Sequence, residues 1–319
     1  MSLRILLLPP NPSAALLDAV APRGVDVEVT RLSEHTSDAL REALPYCDVI
    51  VGDWSGQLRL GDTEAALARD VALVQQPTAG VETIDVDAWT RRGVPVANIG
   101  PANSWAVTEW CLGATMNLLR SYRWADAEVR DGRWPQLDIL DQARPRELRG
   151  SRVGVVGAGQ IGSRLCGMYS ALGCDVSYWS PRSRIAGATW RTLPEVLSTS
   201  DVVIIAIART PDTLGLVDRA AVAALPADAI LIDVSRGGIV DQDAVLERVR
   251  DRSMAGAALD VFGTEPPQLD QQLIAEQNVL FSPHVAGVTD TSVAAQVGAV
   301  RNNIVALAGG EPLVHVLNR

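Results

Sequence analysis

Lysine is missing altogether from these 319 residues, so all 28 basic side chains are arginine. Without an ε-amino group the chain has no Schiff-base or lysine-nucleophile chemistry. Cysteine is scarce. Cys47, Cys111, Cys166 and Cys174 fall at no metal-binding or redox spacing, so no metal is expected and the thiols read as small buried groups of a protein in a reducing compartment. Histidine occurs only at positions 35, 284 and 315, which confines imidazole chemistry to three places. No apolar run approaches membrane-spanning length. The one near the start, Leu3-Arg4-Ile5-Leu6-Leu7-Leu8, stops at Pro9-Pro10 and reads as a first strand, not a leader. There is no basic block, and a net charge of −10 argues against nucleic acid or an anionic membrane surface as partner. A cytoplasmic location is the expectation.

With 47% apolar residues the chain is able to bury ordinary cores, and its length suits two domains. Short apolar runs at Ile5–Leu8, Val25–Val29, Asp48–Val51, Val71–Val74 and Pro95–Asn98 alternate with helical patterns. A second series follows at Val153–Val156, Asp175–Trp179, Val202–Ile207, Ala229–Val234, Gly256–Leu259 and Val279–Ser282. Such alternation predicts an α/β fold with two parallel sheets. Residues 103 to 122 predict a long helix with Val107, Trp110, Cys111, Ala114, Leu118 and Leu119 on one face, and 123 to 149 are polar. The segment Thr291 to Ala308 reads as a closing helix that packs back on the first domain, with chain crossings near Pro101 and near His284.

Between the two series lies Gly157-Ala158-Gly159-Gln160-Ile161-Gly162, behind a predicted strand and ahead of a predicted helix bearing Ile161, Leu165, Met168 and Leu172 on one side. In a dinucleotide fold the first glycine makes the turn, the second admits the pyrophosphate, and the third lets helix and sheet approach. The phosphates then meet the helix N-terminus. About eighteen residues further on, where an NAD site shows a carboxylate for the ribose 2′-hydroxyl, the chain reads Trp179-Ser180-Pro181-Arg182-Ser183-Arg184. No carboxylate repels a 2′-phosphate there, and Ser180, Arg182, Ser183 and Arg184 offer it donors. NADP(H) is therefore predicted over NAD(H), with Arg209 as a further cation near the same place.

Reduction of a carbonyl by a dinucleotide needs a proton donor, and imidazole is the usual one. His284 follows Pro283 at the end of a predicted strand, where a loop reaches the domain boundary. Arg236, in Asp233-Val234-Ser235-Arg236-Gly237-Gly238, sits on a glycine-flanked turn after a buried strand, placed to grip a carboxylate in two-point fashion. Glu265, before Pro266, is the carboxylate that would keep His284 protonated.

The order and separation of these motifs resemble the D-isomer-specific 2-hydroxyacid dehydrogenases. The likeness runs along nearly the whole chain, through Glu147-Leu148-Arg149-Gly150, the glycine fingerprint, Ser235-Arg236-Gly237-Gly238, Glu265-Pro266 and Pro283-His284. It implies a Rossmann dinucleotide-binding domain (101–286) inserted in a flavodoxin-like substrate domain (1–100 plus 287–319). It implies Arg236, Glu265 and His284 as catalytic residues, and Ala79 and Gly80 in Thr78-Ala79-Gly80-Val81 as substrate contacts. Trp54 would shape the pocket. Asn103, Thr108, Thr210 and Asp260 would lie near the cofactor, together with Gly157, Gly159, Gln160, Ile161 and Gly162. A homodimer with Trp134 in its interface is implied, and a 2-oxo or 2-hydroxy acid as substrate. Departures from the family pattern are Glu82 where aspartate is commoner, Ala208-Arg209 before Thr210-Pro211, and Trp54 itself. Two other roles on the same scaffold stay open: NADP-dependent oxidation of a non-carboxylate anion such as phosphite, and a non-catalytic NAD(P)-sensing scaffold or corepressor.

Overall fold

A computed structural model describes residues 2–318. Two compact units emerge, one of the described residues up to Asn103 and from Thr289 onward, the other of residues 104–288. The chain leaves the first unit between Asn103 and Ser104 and returns between Val288 and Thr289. The outward crossing lies a few residues beyond Pro101, because the helix Ser104–Arg120 belongs with the second sheet through Val107, Cys111, Ala114 and Leu119.

The first unit is built on β1 (Leu3–Leu7), β2 (Val27–Arg31), β3 (Val49–Val51), β4 (Leu73–Gln75) and β5 (Val96–Ala97), a parallel sheet in the order β2-β1-β3-β4-β5. This is the flavodoxin-like order. The short apolar runs are strands because β1, β3 and β4 are covered on both faces, and a two-sided strand has no polar positions to alternate. One face carries Trp89, Leu44 and Ala88, and the other the closing helix Asp290–Gly309 through Val297, Val300 and Ile304. Burial of each such aliphatic side chain contributes about 1.5–3 kcal/mol. The final residues tie back to β5, where Asn318 accepts from the Val96 N–H at 2.8 Å.

The second unit contains β6 (Arg152–Val156), β7 (Asp175–Trp179), β8 (Thr189–Trp190), β9 (Val202–Ile205), β10 (Ile230–Asp233), β11 (Gly256–Leu259) and β12 (Val279–Phe281). All pair in parallel, in the order β12-β11-β10-β9-β6-β7-β8. Read outward from β6, this is the dinucleotide-binding order with a seventh strand added. The two-residue strand β8 has no apolar run behind it, and sequence patterning gives no sign of it. The helix Gln160–Ala171 turns Leu165, Cys166 and Tyr169 into the core, whereas Leu172 is exposed at its end. The polar stretch after residue 120 contains the helix Tyr122–Arg130, with no buried residue. Among the described residues no helix is long and apolar enough to cross a membrane.

The cysteines are unpaired, and burial pushes the Cys47 and Cys166 thiols up to about 12. They are inert at neutral pH.

Candidate active site

Since the strands of the second sheet are parallel, their carboxyl ends share one edge, and Gly157, Gly159, Arg236, Glu265 and His284 all lie on loops leaving that edge. The topological switch point falls between β6 and β9, where neighbouring connections diverge to opposite faces. The glycine fingerprint follows β6. Gly157 has φ of +119°, and a Cβ there would sit 2.3 Å from the Ala206 carbonyl oxygen; one on Gly162 would sit 2.1 Å from the carbonyl of Gly157. These two glycines are required by the protein itself. Gly159 differs: a Cβ there meets nothing within 4 Å, so only a group arriving from outside demands its absence. It caps the helix Gln160–Ala171 with no side-chain hydrogen bond. The N–H groups of Gln160, Ile161 and Gly162 therefore face outward without an intrahelical partner. A pyrophosphate fits this arrangement in charge and in space.

Loops after the three adjacent strands β10, β11 and β12 carry Arg236, Glu265 and His284 in turn. His284 Nδ1 lies 2.9 Å from Glu265 Oε2, and Glu265 Oε1 accepts the Phe262 N–H at 3.0 Å. Both carboxylate oxygens are engaged, which fixes the plane of the carboxylate and hence the imidazole. With Nδ1 on Glu265, Nε2 is the nitrogen left to face a substrate. Both side chains are about two-fifths exposed. His284 itself has φ of +57°, a left-handed backbone costly for a residue with a Cβ. Its N–H donates to the carbonyls of Asp260 at 2.8 Å and Ser282 at 3.0 Å, holding that conformation.

The Arg236 turn packs on the loop after β11 through its backbone. A Cβ on Gly237 would sit 2.0 Å from the Phe262 carbonyl oxygen, so the arginine turn lies directly against the Phe262-Gly263 backbone that precedes Glu265. The Arg236 Nη1 donates to the Ser235 carbonyl at 2.8 Å.

Two buried carboxylates support these loops from beneath. Asp260, placed by sequence near the cofactor, is 2% exposed. Its Oδ1 accepts from the Ser282 hydroxyl at 2.5 Å and the Val285 N–H at 2.8 Å, and its Oδ2 from the Ala286 N–H at 3.0 Å. It thus grips the His284 loop on both sides, a role that sequence reading missed. Asp233, at the end of β10, accepts from the Ser235 N–H at 3.0 Å and from its hydroxyl. Its other oxygen accepts from Gln242 Nε2 at 3.2 Å, and that amide also donates to the Val261 carbonyl at 2.7 Å. Asp233 and Gln242 therefore strap the arginine turn to the end of β11. No spacing in the sequence marks either residue for this.

Burial pushes the Asp233 carboxyl up to about 6; the Ser235 and Gln242 donors oppose that rise and the nearby Asp260 adds to it. The ordinary unfolded value is about 4, so the folded state holds this proton more tightly. Wild-type stability then falls as pH rises from about 4 to about 6 and loses nothing further to this group above that. Asp233→Asn removes the titration. Its stability relative to wild type should climb across that window by on the order of 1–3 kcal/mol and then level off, in denaturant titrations at several pH values. Loss of the Gln242 bond would offset the whole curve without changing its slope. A difference that stays flat from about pH 4 to 7 contradicts a buried, titrating carboxylate.

The remaining predicted residues divide. Thr108 is fully buried, its hydroxyl donating to the Ser104 carbonyl at 2.7 Å. Thr210 closes a turn, its N–H donating to the Thr213 hydroxyl at 2.8 Å. Ser180 is 5% exposed and accepts the Ser183 N–H at 3.2 Å, while Arg182, Ser183 and Arg184 are exposed beyond β7. In the first unit, Asn98 donates to the Ala79 carbonyl at 2.8 Å, and Gln76 donates to the Thr78 hydroxyl at 2.9 Å. The N–H groups of Ala79 and Gly80 keep no protein acceptor among the described residues. Trp54 is 40% exposed on a loop organised by Asp53, which accepts from the N–H groups of Ser55, Gln57 and Leu58 and lies 3.2 Å from His35 Nε2.

Residues 112–286 match the family model described as the D-isomer specific 2-hydroxyacid dehydrogenase, NAD binding domain. The chain belongs to this family. It is 27% identical to a D-3-phosphoglycerate dehydrogenase of Archaeoglobus fulgidus over 99% of its own length and 59% of that relative's. It spans about half the length of the corresponding enzymes of Haemophilus influenzae and Bacillus subtilis, 52% and 47%. With the glyoxylate/hydroxypyruvate reductase HPR3 of Arabidopsis thaliana it shares 30% identity, over 97% of this chain and 96% of that one. Among solved structures, the NADPH-dependent glyoxylate/hydroxypyruvate reductase of Sinorhizobium meliloti, in complex with NADP and malonate, is similar. It is 25% identical, with a TM-score of 0.86 over 99% of this chain and 97% of that one.

Proposed function

We propose that this family member reduces a 2-oxo acid to the (2R)-hydroxy acid with NADPH, reversibly. The observation that carries the reading is the His284–Glu265 hydrogen bond of 2.9 Å on the carboxyl edge of the cofactor sheet, one loop from Arg236. When bound, the nicotinamide supplies the hydride in reduction and takes it in oxidation. Gly157, Gly159 and the N–H groups of Gln160, Ile161 and Gly162 hold the pyrophosphate. Arg236 grips the substrate carboxylate and polarises the carbonyl. His284 Nε2 gives its proton as charge develops on the carbonyl oxygen, and Glu265 stabilises the imidazolium before that transfer. In oxidation His284 must begin neutral.

NADPH is favoured over NADH by the missing carboxylate after Trp179 and the exposed Arg182, Ser183 and Arg184. The solved Sinorhizobium enzyme named as NADPH-dependent supports that choice, and the phosphoglycerate dehydrogenases keep a phosphorylated substrate in view. A homodimer in the cytoplasm is part of the reading. Trp134, Leu137 and Leu140 are exposed apolar side chains close together in the chain, of the kind that a second copy would cover.

The test is a panel of glyoxylate, hydroxypyruvate, 3-phosphohydroxypyruvate, pyruvate, phenylpyruvate and branched-chain oxo acids, each with NADPH and with NADH. At least one should be reduced, with kcat/KM about tenfold or more higher for NADPH. No turnover of any oxo acid overturns the reading, and turnover of phosphite with NADP+ would put the anion oxidation in its place.

A further inference from the structure

Sequence reasoning pairs Arg182 and Arg184 as equivalent cations beside a 2′-phosphate, but their surroundings differ. Arg182 is 80% exposed and lies 3.7 Å from Asp212, itself 84% exposed. Arg184 has no carboxylate within ion-pair distance among the described residues. Its guanidinium carbon stands 4.8 Å from the centre of the Trp190 ring, and its Nη1 donates to the carbonyls of Ser183 at 3.1 Å and Ser180 at 3.4 Å. Trp190 is the second residue of β8, paired with Tyr178 on β7. Its indole N–H donates to the same Ser180 carbonyl at 3.2 Å. At the far end of the loop the buried Tyr178 hydroxyl accepts the Ile185 N–H at 2.8 Å. Side chains of two neighbouring strands thus pin the loop from Ser180 to Ile185 at both ends.

We propose that Trp190 is the positioning residue that sets cofactor choice, holding Arg184 ready for the 2′-phosphomonoester of an adenosine ribose. The inference rests on the NADP reading above. A guanidinium has five N–H donors in one plane. Nη1 is occupied by two carbonyls, and the ring covers one face, so the plane of Arg184 is set before a ligand arrives. The Nε and Nη2 donors remain for a phosphate oxygen. An indole face is the strongest aromatic partner for a cation, and it holds the guanidinium without cancelling its charge. A carboxylate partner would have to be displaced by the phosphate; a tryptophan would not. Arg182, which has such a carboxylate partner, is the secondary contact.

The experiment uses the intact protein as wild type, Trp190→Leu and Trp190→Phe. Calorimetric titration with 2′,5′-ADP and with 5′-ADP isolates the extra phosphate, and steady-state assays give KM for NADPH and NADH. Trp190→Leu should weaken 2′,5′-ADP and NADPH by about three- to tenfold while 5′-ADP and NADH stay within about twofold, and Trp190→Phe, which keeps a ring, should recover most of the loss. A leucine variant that keeps the wild-type NADPH-to-NADH ratio overturns the proposal, as does one that weakens both cofactors alike, since that marks Trp190 as merely part of the sheet edge. A wild type that binds 2′,5′-ADP no tighter than 5′-ADP overturns the NADP reading together with this one. A preference present in the wild type and retained in the leucine variant overturns only this one.

Discussion

Exchanging His284 for glutamine is expected to slow turnover by about 10²–10⁴-fold while the dissociation constant of NADPH moves less than about twofold. Glutamine fills much the same space and keeps a hydrogen-bonding end, but it neither gives nor takes a proton at neutral pH. The groups read as holding the cofactor's pyrophosphate and 2′-phosphate are on the loops after β6 and β7, and none of the His284 hydrogen bonds involves them. The left-handed backbone at residue 284 is a separate matter, because glutamine tolerates it no better than histidine. Asparagine adopts that conformation more readily, so His284→Asn separates proton transfer from backbone strain. Both variants should be equally slow, although the asparagine variant should melt no lower than wild type. If asparagine restores turnover, the left-handed turn and not the imidazole is the essential feature.

Arg236→Lys should lower kcat/KM for a 2-oxo acid by about 10²–10³-fold. Lysine keeps the positive charge but presents a point where arginine presents a fork, so it cannot hold two carboxylate oxygens and polarise a carbonyl together. The Gly237 backbone sets the turn against Phe262-Gly263, which leaves little freedom for the shorter, differently shaped donor to find an equivalent position. The loss should appear in KM for the acid as well as in kcat, and NADPH binding should be untouched. A drop of less than about tenfold would reduce Arg236 to a general electrostatic contribution rather than a two-point anchor.

Much of this was legible in the primary structure for identifiable reasons. A strand covered on both faces is apolar where it is covered, so Val202–Ile205 and residues 230–232 stand out as unbroken runs, and parallel pairing follows from the helices between them. Gly157 and Gly162 are legible because two backbones approach where no Cβ fits. Arg236, Glu265 and His284 lie on the loops after adjacent strands, and their separation in the chain reflects the length of the intervening strands and helices.

What escaped is equally physical. A two-residue edge strand such as β8 has too little apolar surface to leave a pattern, so Trp190 had no reason to be singled out. Leu172 reads as a core residue by helical period, yet it sits at the helix end, past the region that the sheet covers. Asp233 and Asp260 look like ordinary strand-end acids. The Asp260 partners are N–H and hydroxyl groups of the loop after β12, which only the sheet order brings beside it, and Asp233 holds its own turn through Ser235 and the Gln242 amide. Arg182 and Arg184 differ by one carboxylate, on the loop after β9, and one indole, on the short strand β8, and neither is marked by a sequence pattern.

The central claim is that the His284 imidazole gains and loses the proton of the reaction while Glu265 stabilises its charged form. The most direct measurement is the pH dependence of the limiting rate in both directions, on wild type and on His284→Gln. Reduction should fall toward alkaline pH and oxidation toward acid pH, with the two limbs reporting the same group and both vanishing in the glutamine variant. Profiles that coincide in the two directions, or that survive the substitution, would contradict the account.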